Sequence, residues 1–234
     1  MVIKPLYLLA DSQLLFVKIG GDSLAERIRA DLDSGKPSAA YIGASNGDQP
    51  EFYNLFVAAM ESMEISDFRL VPSQPSREDI SFLENADLIV LSGGNVEQGW
   101  QVFEQNGLKE LLPRKRFDGA VLMGVSAGAA QLGLGCLSNA AQPKQIEMFR
   151  FAPFYVGAHD EENDWFDLRA LVNLAQSDAR AIGLPFGGGA VYYADGTLEP
   201  LRKTLVEIVK EDSKVTENLM APLTPTERFR TEES

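Results

Sequence analysis

The segment from Gly119 to Leu134, GAVLMGVSAGAAQLGL, decides the fold of this chain. Its first half, up to Val125, is a continuous apolar run, which is typical of a strand buried on both faces of a sheet. The small residues from Ala127 to Leu134 predict a helix. Ser126 therefore occupies a sharp turn between a strand and a helix, with glycines two positions before and two positions after it.

On both sides of this segment, strand-like apolar runs alternate with helix-like stretches, which predicts an α/β fold. We expect a mainly parallel sheet flanked by helices on both faces. The tight turn at Ala194-Asp195-Gly196 predicts a C-terminal β-hairpin between residues 190–193 and 197–201. The other predicted strands are residues 6–10, 38–42, 68–71, 87–91, 119–125, 181–184 and 205–209, with 14–17 as a candidate hairpin partner of the first. Residues 151–156 are expected to be extended. The predicted helices are residues 23–32, 51–63, 76–84, 96–105, 127–134 and 165–175.

Length and composition limit the classes of protein. The 234 residues fit a single domain, 1–234, with a polar tail that frays from about residue 211. The net charge of −13 argues against nucleic acid as a partner. Cys136 is the only cysteine and no apolar run reaches membrane-spanning length, so we expect a cytoplasmic protein without a membrane partner. The sequence permits a homodimer but does not decide the oligomeric state.

The turn around Ser126 has the features of a nucleophile elbow. Such a turn projects the serine hydroxyl above the sheet edge, and the following helix N-terminus directs free N–H groups towards an oxyanion. A second glycine turn, Ser92-Gly93-Gly94-Asn95, ends another buried strand and can supply a second backbone donor. The alternative interpretation is that both are tight turns of small residues without any chemistry.

His159 is the only histidine of the chain, and it follows the predicted extended run at residues 151–156. A serine hydroxyl is weakly nucleophilic until a positioned base takes its proton. His159 is therefore the one candidate base for a Ser–His mechanism, although a lone histidine is more often structural or exposed. A single histidine also excludes a zinc site of the two- or three-histidine kind. We expect neither a metal nor a cofactor.

At these residues the chain resembles the serine peptidase family that contains aspartyl dipeptidase (dipeptidase E) and cyanophycinase. The matching features are the turn at residues 93–95, the segment 124–129, the extended run that leads to a histidine, and Ile182-Gly183-Leu184-Pro185 before a hairpin. The resemblance implies a class I glutamine amidotransferase-like (flavodoxin-like) fold, with serine in place of the cysteine nucleophile. It also implies these roles: Ser126 as nucleophile, His159 as base, the N–H groups of Gly94 and Ala127 as oxyanion hole, and Gly93, Asn95, Gly124 and Gly128 as supporting residues.

The chain departs from the family pattern at Phe186. In the dipeptidase branch a glutamate that orients the histidine follows the Leu-Pro pair, and phenylalanine cannot take that role. Four carboxylates are candidates for the third catalytic member, and the sequence does not rank them: Asp160, Glu161, Glu162 and Glu147.

A second departure concerns charge after His159, where the family presents arginines that suit acidic substrates. Here five carboxylates occupy residues 160–167, and Arg169 is the only arginine of that stretch, which makes it a weak substrate-binding candidate. The acidic run also has a plain structural interpretation, because carboxylates are favourable at helix N-termini. We expect neutral or basic dipeptides to be preferred over Asp-X dipeptides.

The leading functional hypothesis is a serine-nucleophile hydrolase, a peptidase that cleaves small peptides or amides through an acyl-enzyme on Ser126. The main alternative is a catalytically weak or inactive relative that binds a small ligand in the same cleft, which the loss at Phe186 suggests. An esterase of the α/β-hydrolase fold fits poorly, because those chains place an acid and long intervening elements between the serine and the histidine.

Overall fold

The structure, a computed structural model, describes residues 3–19, 22–138, 140–141 and 143–223. The strands are β1 Leu6–Leu9, β2 Lys18–Ile19, β3 Asp22–Ser23, β4 Ser38–Ile42, β5 Asp67–Val71, β6 Leu88–Leu91, β7 Val121–Val125, β8 Gly135–Leu137, β9 Gln145–Glu147, β10 Tyr155–Ala158, β11 Ala179–Leu184, β12 Gly189–Tyr192, β13 Leu198–Leu201, β14 Leu205–Glu211 and β15 Lys214–Met220. The α-helices are α1 Leu24–Asp31, α2 Pro50–Ser62, α3 Arg77–Asn85, α4 Val96–Gln105, α5 Leu108–Phe117, α6 Ala127–Leu132 and α7 Phe166–Leu174. Short 3-10 helices lie at Ser12–Phe16, Ala44–Asn46 and Glu161–Asn163.

The larger sheet has seven strands in the order β13-β12-β1-β7-β6-β4-β5. Five neighbouring strands of this sheet are parallel to one another, namely β1, β7, β6, β4 and β5. Their carboxyl ends therefore meet at one edge. The hairpin β12–β13 extends the sheet on the other side, where β12 pairs antiparallel with β1. The predicted α/β fold with a mainly parallel sheet and a C-terminal hairpin is confirmed.

Apolar strands are required here because helices cover both faces of this sheet. Along β1, Leu6 and Leu8 point into a core that includes residues of α3, α4 and α5. Tyr7 and Leu9 point into the opposite core, which includes residues of α1 and α2. All four side chains are fully buried. β1 thus lies in a sheet between two layers of helices, which explains why its sequence is a continuous apolar run.

A smaller sheet of four strands, β10-β11-β14-β15, carries the histidine segment. Strands β10 and β11 are parallel, and β14 and β15 add antiparallel neighbours. Helix α7 packs against it, where Trp165, Leu168 and Leu171 share a core with Ile208. Tyr155 at the start of β10 belongs to the same core, so this core holds the strand that leads to His159.

Two local predictions were wrong. Residues 14–17 were expected to form a strand, but Ser12–Phe16 is a 3-10 helix, because the Asp11 carboxylate accepts the Gln13 N–H and both leucines of the turn are buried. The tail was expected to fray from about residue 211, yet β15 pairs with β14 over its whole length. The connecting Asp212 and Ser213 both have positive φ, as a two-residue hairpin turn of type I′ requires.

Candidate active site

Ser126 stands between the end of β7 and the start of α6, as the turn pattern predicted. Its backbone has φ 49° and ψ −107°, a sparsely populated conformation for a residue with a side chain. Its N–H donates to the Leu9 carbonyl at 2.8 Å, which ties the turn to the neighbouring strand β1. Such local strain occurs at functional sites, where the surrounding packing holds it in place. The prediction of a strained serine at the sheet edge is confirmed.

The two glycines of the serine turn are needed for close backbone contact. A Cβ on Gly124 would lie 2.4 Å from the Gly128 carbonyl group, and a Cβ on Gly128 would lie 2.3 Å from the Leu91 carbonyl oxygen. Both distances are too short for any side chain. The glycine spacing therefore lets α6 begin directly against the ends of β6 and β7.

The second glycine turn lies beside the serine because β6 and β7 are parallel neighbours, with Leu91 opposite Gly124. A Cβ on Gly93 would lie 3.4 Å from the Cβ of Ser126. Gly94 has φ 126°, and its backbone passes against that of Ser45. Asn95 caps α4, since its side chain accepts the Gln98 N–H at 2.9 Å. The turn brings the backbone of Gly93 and Gly94 to the side of Ser126.

His159 directly follows β10 and has φ 60°. Its N–H donates to the Leu184 carbonyl at 3.2 Å, and its ring Nε2 contacts the Ala10 carbonyl oxygen at 2.5 Å. The ring lies 5.5 Å from the Phe186 ring, centroid to centroid. Ser126 and His159 line the same two cavities. The structure thus brings the serine and the histidine to one cleft.

The four candidate acids do not supply the ring partner of His159 in the part of the chain that the structure describes. The Glu161 carboxylate accepts the Phe186 N–H at 2.8 Å, and Asp160 accepts from Asn163 at 3.0 Å. Glu162 is exposed on the 3-10 helix after the histidine. Glu147 lies on β9 in an exposed ion pair with Arg150, outside the lining of both cavities. Only Asp160 lines a cavity together with the histidine.

Ala10 and Asp11 also belong to this cleft, although they were not predicted as site residues. They follow β1, whose Leu9 is paired with Val125 directly before the serine. The Asp11 carboxylate accepts the Gly187 N–H at 2.6 Å and so ties the end of β1 to the loop after β11. An acidic residue at the end of a predicted strand was the available signal, but the position of β1 next to β7 could not be read from the sequence.

The first cavity beside Ser126, here the apolar cavity, has a volume of about 230 Å³. Its wall combines Ala10, Asp11, Gly93 and Gly94 with six larger, mainly apolar side chains. These are Leu15, Tyr41, Phe52, Phe56, Val90 and Met123.

The second cavity, here the acidic cavity, has a volume of about 350 Å³ and is lined by Glu97, Asp160 and Asp167. Burial and then the neighbouring Asp160 charge raise the pKa of the Asp167 carboxyl group. Burial, with smaller contributions from Glu97 and Asp167, raises the pKa of the Cys136 thiol to about 12. In the described part of the chain, no lysine or arginine lines either cavity. The cavity on one side of Ser126 therefore has a mainly apolar wall with one carboxylate, Asp11, and the cavity on the other side is negative.

Arg169, the weak substrate-binding candidate, lies outside both linings. Its guanidinium donates to the Asp164 carboxylate at 3.1 Å and also to Glu217 on β15. Desolvation lowers the pKa of Arg169, but the hydrogen bonds and charges of these two carboxylates together outweigh it, so the pKa is raised. The arginine joins α7 to the outer strand of the smaller sheet.

Two properties of the described residues concern metals and membranes. No three or more His, Cys, Asp and Glu side chains among them are grouped so that they could hold a metal ion. None of the described helices has the length and apolar character needed to cross a bilayer.

Known proteins share this architecture. The chain is similar to a crystal structure of a peptidase from an acI-B1 Actinobacterium, with a TM-score of 0.63, 17% identity and coverage of 94% of this chain and 96% of the other. It is also similar to a putative peptidase E protein from Listeria monocytogenes EGD-e, with a TM-score of 0.56, 15% identity and coverage of 93% and 99%. At these identities the likeness establishes the fold.

The sequence has relatives as well. It is 24% identical over 140 residues to a Bacillus subtilis (strain 168) protein named "Uncharacterized peptidase YgaJ". The matched region covers 57% of this chain and 61% of the relative. The match thus spans less than two thirds of that relative's length. Residues 10–198 match the pattern of peptidase family S51, which confirms the resemblance to the dipeptidase E and cyanophycinase family. Because this match extends over most of the chain, the protein belongs to peptidase family S51.

Proposed function

We propose that the protein is a serine hydrolase that cleaves small peptides or amides through an acyl-enzyme on Ser126. The observation that carries the proposal is the strained Ser126 at the start of α6, in a cleft whose lining also includes the chain's one histidine. The family match and the peptidase names of its relatives support the same class of reaction.

In the proposed reaction the Ser126 Oγ attacks the scissile carbonyl carbon while His159 takes the hydroxyl proton. The oxygen of the tetrahedral intermediate becomes negative and accepts hydrogen bonds from the N–H groups of Gly94 and Ala127. The C–N bond then breaks, and His159 gives the proton to the departing amine. A water molecule, deprotonated by His159, hydrolyses the resulting ester and restores the serine. The free N–H groups of the first turn of α6 favour the negative intermediate.

We infer that the Ala10 carbonyl takes the orienting role that a glutamate has in the dipeptidase branch. When the Nε2–H of His159 donates to this carbonyl, the other ring nitrogen, Nδ1, is left as the proton acceptor. The contact thereby selects the tautomer and fixes the plane of the ring. A neutral carbonyl stabilises an imidazolium less than a carboxylate does, since hydrogen bonds to charged acceptors are roughly twice as strong. We expect a slower hydrolase than one with a full acid–histidine–serine triad.

The alternative, a ligand-binding protein with little or no activity, is favoured by one observation. Phe186, which the resemblance aligns with the orienting glutamate, is packed 5.5 Å from the His159 ring, and a backbone carbonyl takes the ring hydrogen bond. In well-studied triads, loss of the orienting function of the acid costs roughly ten-thousand-fold in kcat.

Covalent labelling with a fluorophosphonate, followed by intact mass, separates the two proposals. We expect one adduct on the wild type, none on Ser126→Ala, and slow labelling of His159→Ala. Ser12→Ala is the matched control, because it removes another hydroxyl from the lining of the apolar cavity. No labelling of the folded wild type would favour the ligand-binding protein. Equal labelling rates for the wild type and His159→Ala would remove the histidine from the mechanism.

A further inference from the structure

We propose that the apolar cavity holds an apolar side chain, aromatic or large aliphatic, of the substrate residue that flanks the scissile bond. This inference rests on the proposed function and names its substrate class. It begins from the position of the cavity, whose lining includes Ser126, His159 and Gly94. A substrate side chain next to the carbonyl group that reacts with Ser126 can therefore reach this cavity.

The wall of the apolar cavity has the chemistry of a site for an uncharged side chain. Phe56, Met123 and Val90 contribute apolar surface, and Phe56 lies in an aromatic group with Tyr41 and Tyr53. Burial raises the pKa of Tyr41 to about 12, so this phenol stays neutral. The carboxylate of Asp11 already accepts the N–H groups of Gln13 and Gly187.

The size of the cavity fits a benzyl or isobutyl group. Its volume is about 230 Å³, whereas an apolar cavity of ~150 Å³ in another protein is enough to bind benzene. The rim is partly open, since Phe52 lines the cavity and keeps 44% of its side chain exposed. A flexible substrate can therefore enter from the side of α2.

An acidic side chain has no favourable place on either side of Ser126. In the apolar cavity it would lose its hydration without gaining a cationic partner, which carries a large free-energy penalty. In the acidic cavity it would meet Asp160 and Asp167. The cation that an acidic substrate needs is absent from both linings in the described part of the chain. The charge distribution therefore disfavours aspartyl side chains, and the apolar wall of the first cavity favours an apolar one.

The test compares one variant with a matched control on the same helix. Phe52→Asp places a carboxylate at the rim of the apolar cavity. Leu55→Asp places the same charge on α2 at a residue that is 43% exposed and outside the lining. Because both positions are exposed, both variants are expected to fold, and thermal unfolding checks this. The substrates are Phe-Ala, Ala-Phe, Ala-Ala and Asp-Ala.

We expect kcat/KM for Phe-Ala or Ala-Phe to exceed that for Ala-Ala and Asp-Ala on the order of ten- to hundred-fold, as for burial of one large apolar side chain. Phe52→Asp should remove most of this preference, and Leu55→Asp should keep it. Fastest turnover of Asp-Ala, or equal effects of the two variants, would overturn the proposal.

Binding separates this proposal from the catalytic one. Calorimetric titration of Ser126→Ala with the same dipeptides needs no turnover. Tighter binding of a phenylalanine dipeptide than of Asp-Ala, lost when Phe52→Asp is added, supports the apolar site even if the wild type proves inactive. Equal or tighter binding of Asp-Ala would overturn it even if fluorophosphonate labels Ser126.

Discussion

Replacement of Gly94 by alanine should damage both the stability and the chemistry of the site. A Cβ at this position would lie 2.1 Å from the Ser45 carbonyl oxygen, where ordinary contact begins at 3.4 Å. The contacting atom belongs to the backbone, so it cannot move away by a change of rotamer as a side-chain atom can. The φ of 126° is also unfavourable for any residue with a Cβ.

The cost follows from these two effects. Backbone strain at a sparsely populated φ contributes about 1–3 kcal/mol, and an extra carbon in packed surroundings costs about 1–3 kcal/mol. For a chain of this length the resulting loss of ~2–6 kcal/mol corresponds to a decrease in Tm of roughly 4–24 °C. If the Gly94 N–H binds the oxyanion, as proposed, its displacement should slow acylation roughly a hundred- to thousand-fold.

Thermal unfolding and the rate of fluorophosphonate labelling measure the two effects separately. Gly107→Ala is the matched control, because Gly107 also has a positive φ, 69°, but no atom lies within 4 Å of a Cβ there. We expect this control to lose only about 1–2 kcal/mol and to label at the wild-type rate. If Gly94→Ala is as stable as Gly107→Ala and labels equally fast, the close contact between the backbones of Gly94 and Ser45 is not required for the stability or the reactivity of the site.

Three further predictions concern single side chains. Asp11→Asn should lower stability by about 1–3 kcal/mol and slow labelling, since the two Asp11 carboxylate oxygens accept the N–H groups of Gln13 and Gly187, whereas an amide has only one acceptor oxygen; unchanged stability in chemical denaturation would contradict this. Arg169→Gln should leave kcat/KM unchanged for every dipeptide, because Arg169 lines neither cavity, and a specific loss of Asp-Ala turnover would show the opposite. Cys136 should react with iodoacetamide far more slowly than a free thiol at about pH 8, because burial raises the pKa of its thiol to about 12. The reaction rate should keep rising with pH towards that value, and a plateau of the rate near about pH 9 would refute the effect of burial.

The serine turn could be predicted from sequence because its determinants are local. The buried strand, the serine and the two glycines stand in one short segment, and each glycine has a steric reason in the structure. The parallel sheet was also predictable, since its strands are apolar on both faces and alternate with helices.

The surroundings of His159 were not predictable, because they depend on strand order. The Ala10 carbonyl meets the histidine only because β1 lies between β7 and β12. Strand β15 was missed for a different reason. Its turn uses Asp212 and Ser213 at positive φ, where Asn-Gly or Asp-Gly is the usual signal, and most of its side chains are exposed.

The position of β1 also has a consequence for how the protein folds. β1 is synthesised before the other strands of its sheet, but its partners lie far along the chain, with Leu6 opposite Leu122 on one side and Tyr192 on the other. Contacts of such long sequence separation form late, because the entropy of closing a long loop must be overcome first. During synthesis on the ribosome, the apolar segment LYLL of β1 stays unpaired until β7 and β12 have both emerged. Its free strand edges can pair with the wrong partner during that time. Since Ala10 follows this strand directly, labelling of Ser126 during refolding should report the moment at which the last central strand inserts.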